Sequence, residues 1–157
     1  MENFDVKLVE IPTMNILYIR KMVQQHEFPL EYTNCFGELL KHIKDNKLTM
    51  ISPPMVLFHS DEYSPFGLDT EFAIPIKECV KGTRDFNPGL CLKTVLNGSY
   101  SDLPSVYAKQ LEYAEKEGYI AKDALFEVYV NDPTQVESEN NLITEIYYPV
   151  KKIGTNS

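Results

Sequence analysis

The sequence predicts an α+β fold of mostly antiparallel sheets, made of two β-β-α-β-β units with pseudo-twofold symmetry. The first observation is a repeated motif, Thr-Glu-x-x-x-Pro-aliphatic, at residues 70–76 and 144–150. The second is that similar apolar segments precede both copies in the same order, as in an internal repeat. The third is the composition, because 43% hydrophobic and 24% charged residues are typical of a globular domain.

The repeat divides the chain into two segments and a tail. We place the first segment at residues 4–76, the second at 84–150 and the tail at 151–157. A chain of 157 residues is close to the size of one domain, so we expect a single domain over residues 1–157. Neither unit can bury its sheet alone, so the two should pack together and leave a ligand groove between the halves.

The first segment contains four predicted strands and one helix. Alternating charged and apolar residues predict its first strand, and short apolar runs bounded by turn residues predict the others. These strands lie at residues 4–10, 16–19, 55–59 and 69–74. The helical spacing of Phe36, Leu39, Leu40 and Ile43 predicts a helix. Thr33 or Asn34 is the expected N-cap, and Asn46 lies near the end of the helix.

The second segment contains three further predicted strands. They lie at residues 91–96, 125–130 and 142–148. A helix between the first two begins near Ser101 and Asp102, with Pro104 in its first turn, and ends at Gly118.

Charge and cysteine content exclude several classes of partner. The net charge is −8, and the acidic excess is spread over both halves. Because no basic stripe is available to bind phosphates, we expect no direct contact with nucleic acid. No apolar run approaches the roughly 20 residues of a membrane helix, so we expect no membrane partner. The N-terminus does not resemble a signal peptide, and we interpret Cys35, Cys79 and Cys91 as buried free thiols. The chain is therefore predicted to be cytoplasmic.

The sequence predicts neither a metal site nor a cofactor. His26, His42 and His59 are widely separated and form no Cys/His ligand pair. Glycine-rich phosphate loops, dinucleotide-binding motifs and nucleophile elbows are missing from the sequence as well.

The repeated acids Glu71 and Glu145 are the most informative candidate site residues. Each lies within an apolar strand, and alternation places Glu145 and Tyr147 on one face. One interpretation is that this face is solvated. The other is that Glu145 lies at the floor of an aromatic groove, where a desolvated carboxylate would bind a cation or act as an acid or base.

Tyrosines favour a groove, since seven of the 10 lie from Tyr100 onward. A tyrosine offers a large apolar face and a polar tip, which suits planar ligands, although it is also common at the rim of a core. We therefore add Glu127 and Tyr129, which share a face of the preceding strand. The candidates from the first segment are Tyr18, Pro54, Met55 and Phe58.

Several stretches of this sequence together resemble one known family. They are residues 36–40 (FGELL), 53–59 (PPMVLFH), 97–100 (NGSY), 102–104 (DLP), 128–133 (VYVNDP) and 144–150 (TEIYYPV). The chain is similar to GyrI-like small-molecule-binding domains, which also serve as effector-binding modules of AraC-type and multidrug-responsive regulators. The resemblance covers roughly Phe4 to Val150.

The resemblance implies a duplicated fold with a ligand groove between its halves. It also implies binding of lipophilic, often cationic compounds, with Glu145 as the main polar contact. Two departures stand out. DNA-binding helices do not precede the matching segment, so we expect a stand-alone domain, and Ser99 replaces a proline that is frequent in the family.

Three functional hypotheses follow. The leading one is a stand-alone binding protein for amphipathic or cationic small molecules. The second is suggested by stand-alone family members similar to hydrolases, which open cyclopropane rings of DNA-alkylating natural products. In such a hydrolase, Glu145 would act as general base or position water, and Tyr147 or Tyr129 would donate the proton. The third is a protein-interaction or inhibitor module with a protein partner.

Overall fold

A computed structural model of the chain describes residues 4–59, 67–131 and 133–153. Within these ranges it contains nine β-strands and two α-helices. In chain order they are β1 Lys7–Ile11, β2 Met14–Val23, α1 Phe28–Asp45, β3 Met55–Phe58, β4 Leu68–Pro75, β5 Thr83–Phe86, β6 Gly89–Asn97, α2 Leu103–Glu117, β7 Tyr119–Ala121, β8 Leu125–Tyr129 and β9 Ile143–Lys152. The strands pair antiparallel, which confirms the predicted α+β class.

These elements form two compact units. The central unit is Thr13–Asn87, and the terminal unit combines Met1–Pro12 with Pro88–Ser157. The predicted segments, residues 4–76 and 84–150, therefore differ from the compact units by their first strands.

In the central unit, the strands are ordered β3-β4-β2-β5, and α1 covers one face of the sheet. The helix turns Cys35, Phe36, Leu39 and Ile43 inward at helical spacing. Its Phe36 ring meets that of Phe72 on β4 edge to face, with centroids 5.5 Å apart. This contact fixes which face of β4 lies under the helix.

In the terminal unit, the strands are ordered β1-β6-β9-β8, and β7 pairs with the end of β9. Helix α2 covers one face, where its Val106 packs with Leu96 and Ile146. Gln110 of α2 donates to the Thr94 hydroxyl and to the Ile146 carbonyl, both at 3.1 Å. The helix ends at Gly118, whose φ of 79° suits glycine.

The first strand belongs to a different compact unit from the one its place in the chain suggests. Strand β1 pairs with β6 rather than with β2, because Phe4 and Val6 next to it pack on the apolar clusters of the terminal unit. The place beside β2 is taken by β5, a strand that sequence patterns did not predict.

The two Thr-Glu-x-x-x-Pro motifs both lie in strands, β4 and β9, as predicted. Strand β4 pairs with β2 and β3, and β9 pairs with β6 and β8, so each occupies an inner position of its sheet. Two expectations stay predictions. One is that the two segments are copies related by a twofold axis. The other is that they form one domain with a groove between the halves.

Some predicted boundaries were wrong. Helix α1 begins at Phe28, with a proline in its first turn, so Thr33 and Asn34 lie inside it rather than capping it. Strand β9 runs on to Lys152 because its end pairs with β7, so the tail does not begin at Lys151. The last four residues of the predicted tail lie outside the described residues.

The structure bears on two expectations about the chain's environment. Cys35 and Cys91 are buried as predicted, whereas Cys79 is exposed. Neither described helix is long and apolar enough to cross a membrane.

Candidate ligand-binding site

Glu145 and Tyr147 form a hydrogen-bonded pair on β9. Their neighbour Ile146 packs under α2, so alternation directs both side chains to the opposite face of the sheet. The Tyr147 hydroxyl donates to Oε1 of Glu145 at 2.9 Å. The Tyr147 ring stacks on Phe126 of β8, with centroids 4.7 Å apart and planes inclined by 11°. A carboxylate is thus held beside a stacked pair of aromatic rings, as predicted for the shared face of Glu145 and Tyr147.

Among the residues that the structure describes, Lys93 is the nearest positive charge to this pair. Strand β6 places Lys93 opposite Tyr147, with its Nζ 5.5 Å from the ring centroid. The same Nζ lies 3.8 Å from Oε2 of Glu145, which is too long for a hydrogen bond. The side chains of Glu145 and Lys93 are 27% and 29% exposed. Glu145 is therefore partly exposed, and its second oxygen is only loosely paired.

Tyr147 is a hydrogen-bond donor at neutral pH. Burial raises the pKa of its phenol, and the hydrogen bond to the Glu145 carboxylate raises this pKa further. The hydroxyl consequently stays protonated and keeps Oε1 of Glu145 in place.

Glu71, the counterpart of Glu145 in the repeated motif, has a closed environment. Its side chain is fully buried, and Arg84 of β5 binds it with two hydrogen bonds of 2.8 and 2.6 Å. Nε2 of His59 lies 2.7 Å from Oε1 of the same carboxylate. Burial raises the pKa of Glu71, but hydrogen bonds from His59 and Arg84 outweigh it and lower the pKa overall. The charge of Glu71 is balanced within the central unit.

Glu127 and Tyr129 form a second pair, but on the other face of the sheet from Glu145. The Tyr129 hydroxyl donates to Oε1 of Glu127 at 2.8 Å. Glu127 pairs in register with Ile146, so it lies on the face that α2 covers. Only 4% of Glu127 is exposed, and burial raises its pKa to about 7 although the hydrogen bond from Tyr129 opposes the shift. The sequence had grouped these residues with Glu145, and the structure separates them.

The first-segment candidates are also divided between two faces. Met55 is opposite Ala73 in the register, on the Glu71 face of the central sheet. Phe58 instead stacks on Phe28 of α1, at 6.3 Å between centroids, so it lies on the helix-covered face. Half-buried Pro54 precedes β3. The structure does not bring Met55 and Phe58 together as one apolar wall.

Tyr18 belongs to the surroundings of Arg84. The guanidinium carbon of Arg84 lies 5.5 Å from the Tyr18 ring centroid and 5.6 Å from that of Phe86. Such distances are typical of cation–π contacts, so Arg84 itself occupies the aromatic face of Tyr18.

Sequence reasoning missed Lys93, Phe126 and Arg84. All three act across strand pairs, and their partners depend on a register that one strand's pattern does not reveal. The contact of His59 with Glu71, made by a side chain that is 14% exposed, was also not predicted.

A family model for GyrI-like small molecule binding domains matches residues 4–151, and the chain belongs to this family. The predicted family resemblance is thereby confirmed. No curated protein sequence matched the chain.

Solved structures share the fold. EcmrR in a cryo-EM structure of the EcmrR–DNA complex in EcmrR-RPo has a TM-score of 0.82 and 21% identity, over 96% of this chain and 58% of that one. This chain thus spans a little over half of that EcmrR chain. The crystal structure of the EcmrR C-terminal domain gives a TM-score of 0.77 and 21% identity, over 96% and 99%. The structure of SAV2435 bound to tetraphenylphosphonium has a TM-score of 0.62 and 12% identity, over 94% of both chains.

Proposed function

We propose that the chain binds lipophilic cations, with Glu145 as the main polar contact and the rings of Tyr147 and Phe126 beside it. The observation that carries this proposal is the difference between the two repeated acids. Glu71 is fully buried and held by Arg84, whereas Glu145 is 27% exposed and its nearest cation lies at 3.8 Å. Of the two, Glu145 is the carboxylate that can accept a ligand's charge.

The chemistry of the Glu145 face suits a soft cation. At about 4 Å and an effective dielectric near 20, a carboxylate attracts a unit cation by about 4 kcal/mol. Desolvation offsets much of this attraction, which leaves a net gain of about 1–3 kcal/mol. A delocalised cation with aromatic groups has a low desolvation cost and can pack against the Tyr147 ring as well. Small, strongly hydrated cations gain less binding free energy, because their desolvation costs more.

The family and SAV2435, whose structure holds tetraphenylphosphonium, support the ligand class. For the compartment, the free thiols of Cys35, Cys79 and Cys91 support the cytoplasm. The net charge of −8 supports a domain that does not itself hold nucleic acid.

A titration of the full chain with tetraphenylphosphonium tests the proposal. Glu145→Gln keeps the shape of the side chain and removes its charge, so affinity should fall by about 5- to 150-fold. Neutral triphenylphosphine oxide should bind the variant and the wild type alike. Exposed Glu139, changed to Gln, is the matched control and should have no effect. Equal affinity of Glu145→Gln and the wild type for the cation would refute the proposal.

The hydrolase alternative uses the same pair of residues, Glu145 and Tyr147. The 2.9 Å hydrogen bond between them favours it, since an acid–base pair needs such contact. The raised pKa of Tyr147 counts against it, because the phenol is then a poorer proton donor. Turnover of a cyclopropane-containing alkylating compound by the wild type, and its loss in Tyr147→Phe, would establish the hydrolase. Binding without turnover would exclude it for that compound.

A further inference from the structure

A surface cavity of about 460 Å³ lies on the terminal unit beside the Glu145 pair. Strands β1 and β6 and the residues before β1 line it. The lining includes Asp5, Lys7, Val9, Lys93, Val95 and Asn97. Its volume lies within the range of about 300–1,000 Å³ that is usual for small-ligand pockets.

Two lysines that line this cavity lie side by side on neighbouring strands. In the register of β1 and β6, Lys7 is directly opposite Lys93. Directly opposite residues of an antiparallel pair have Cβ atoms about 5 Å apart, and like charges in such positions repel. Among the described residues, no carboxylate forms an ion pair with Lys7, and the partner of Lys93 lies at 3.8 Å. Lys7 is therefore available to an anion, whereas Lys93 is held only loosely by Glu145.

The charge of the cavity differs in sign from that of the protein. Its lining carries two lysines against one acid, Asp5, while the whole chain has a net charge of −8. A locally positive cavity in an acidic protein attracts anions. The amide of Asn97 adds a hydrogen-bond donor, and Val9 and Val95 add apolar surface.

We infer that this cavity binds a small organic anion, namely the carboxylate of an amphipathic molecule. Lys7 and Lys93 hold the carboxylate with charge-assisted hydrogen bonds. Val9 and Val95 contact the apolar part of the molecule. The site is separate from the Glu145 carboxylate, although Lys93 lies between the two.

Lys93 couples the cavity to Glu145. An anion that draws Lys93 into the cavity takes the nearest cation away from Glu145. A carboxylate ligand should then strengthen binding of a cation at Glu145, and by linkage the reverse holds. This coupling rests on the proposed function, whereas the anion site itself does not.

The test uses the full chain and 2-naphthoate, with neutral 2-naphthamide as the matched probe. Titration is followed by NMR of the backbone amides. Naphthoate should bind saturably and shift amides of β1 and β6, and naphthamide should bind at least fivefold more weakly. Lys7→Gln should lower naphthoate affinity about fivefold, a typical effect of losing one charged contact. Lys109→Gln, an equal change of charge on the exposed side of α2, should leave it unchanged.

Three results would overturn the anion site. They are no saturable binding of naphthoate, equal binding of the two probes, and equal losses in Lys7→Gln and Lys109→Gln. Naphthoate binding in a protein that fails to bind tetraphenylphosphonium would support the anion site and refute the proposed cation function. The two proposals can therefore fail separately.

Discussion

The hydroxyl of Tyr147 donates a 2.9 Å hydrogen bond to one oxygen of Glu145, and the other oxygen lies 3.8 Å from Nζ of Lys93. One oxygen is thus positioned by a neutral donor, and the other by a cation that makes no hydrogen bond to it. A ligand cation would approach the second oxygen and compete with Lys93.

This competition predicts that Lys93→Met increases cation affinity. Methionine keeps an apolar side chain of similar length and removes the charge. Partly exposed ion pairs are worth about 0.2–1 kcal/mol, so tetraphenylphosphonium should bind about 1.5- to 5-fold more tightly. Lys109→Met changes the net charge equally and should have no effect. Weaker binding in Lys93→Met would mean that Lys93 supports the cation site rather than competing with the ligand.

Arg84 should matter for stability because Glu71 is fully buried. Arg84→Met removes the two hydrogen bonds from the guanidinium and leaves His59 as the contact of that carboxylate, which should cost about 3 kcal/mol of unfolding free energy in urea. The control is Arg20→Met, since Arg20 pairs with Asp69 and their side chains are 45% and 30% exposed. Its loss should cost less than about 1 kcal/mol.

The double variant Arg84→Met with Glu71→Gln separates charge from packing. Removing the buried charge should restore part of the stability that Arg84→Met loses. If the double variant were less stable than Arg84→Met, the uncompensated carboxylate would not be the cause of the loss.

Glu127 should make stability depend on pH. Burial raises its pKa from 4.5 to about 7 in the folded protein. Between these values the folded protein keeps a proton that the unfolded chain releases, so stability falls as the pH rises through this window. Glu127→Gln stays neutral and should be more stable than the wild type at pH 8, by up to about 3 kcal/mol, and nearly equal to it at pH 4.5.

Urea denaturation between pH 4.5 and 8 measures this difference. Glu139→Gln is the control, since its side chain is exposed and its curve should run parallel to that of the wild type. A Glu127→Gln curve that also runs parallel to the wild type would show that Glu127 ionises in the folded protein as readily as in the unfolded one.

Local patterns in the sequence were enough for the fold class and for the Glu145–Tyr147 pair. Period-two alternation places those two residues on one face whatever lies beside the strand. The repeated motif located the two inner strands, because its apolar residues suit strands with neighbours on both sides.

Pairings between distant strands could not be predicted from local patterns in the sequence. Whether Glu127 shares a face with Glu145 depends on the register of β8 against β9, which places Glu127 opposite Ile146. The same holds for Lys93 beside Tyr147. The pairing of β1 with β6 depends on where Phe4 and Val6 find apolar partners, which is a matter of tertiary packing.

A crystal structure of the chain with tetraphenylphosphonium would show whether Glu145 binds the cation. We expect the phosphonium beside the Glu145 carboxylate, with a phenyl group against the Tyr147 ring and Lys93 displaced from Oε2. Its centre should lie within about 6 Å of that ring, the usual range of cation–π contacts. A cation bound at Glu71, or at any place without contact to Glu145 and Tyr147, would refute a cation site at Glu145.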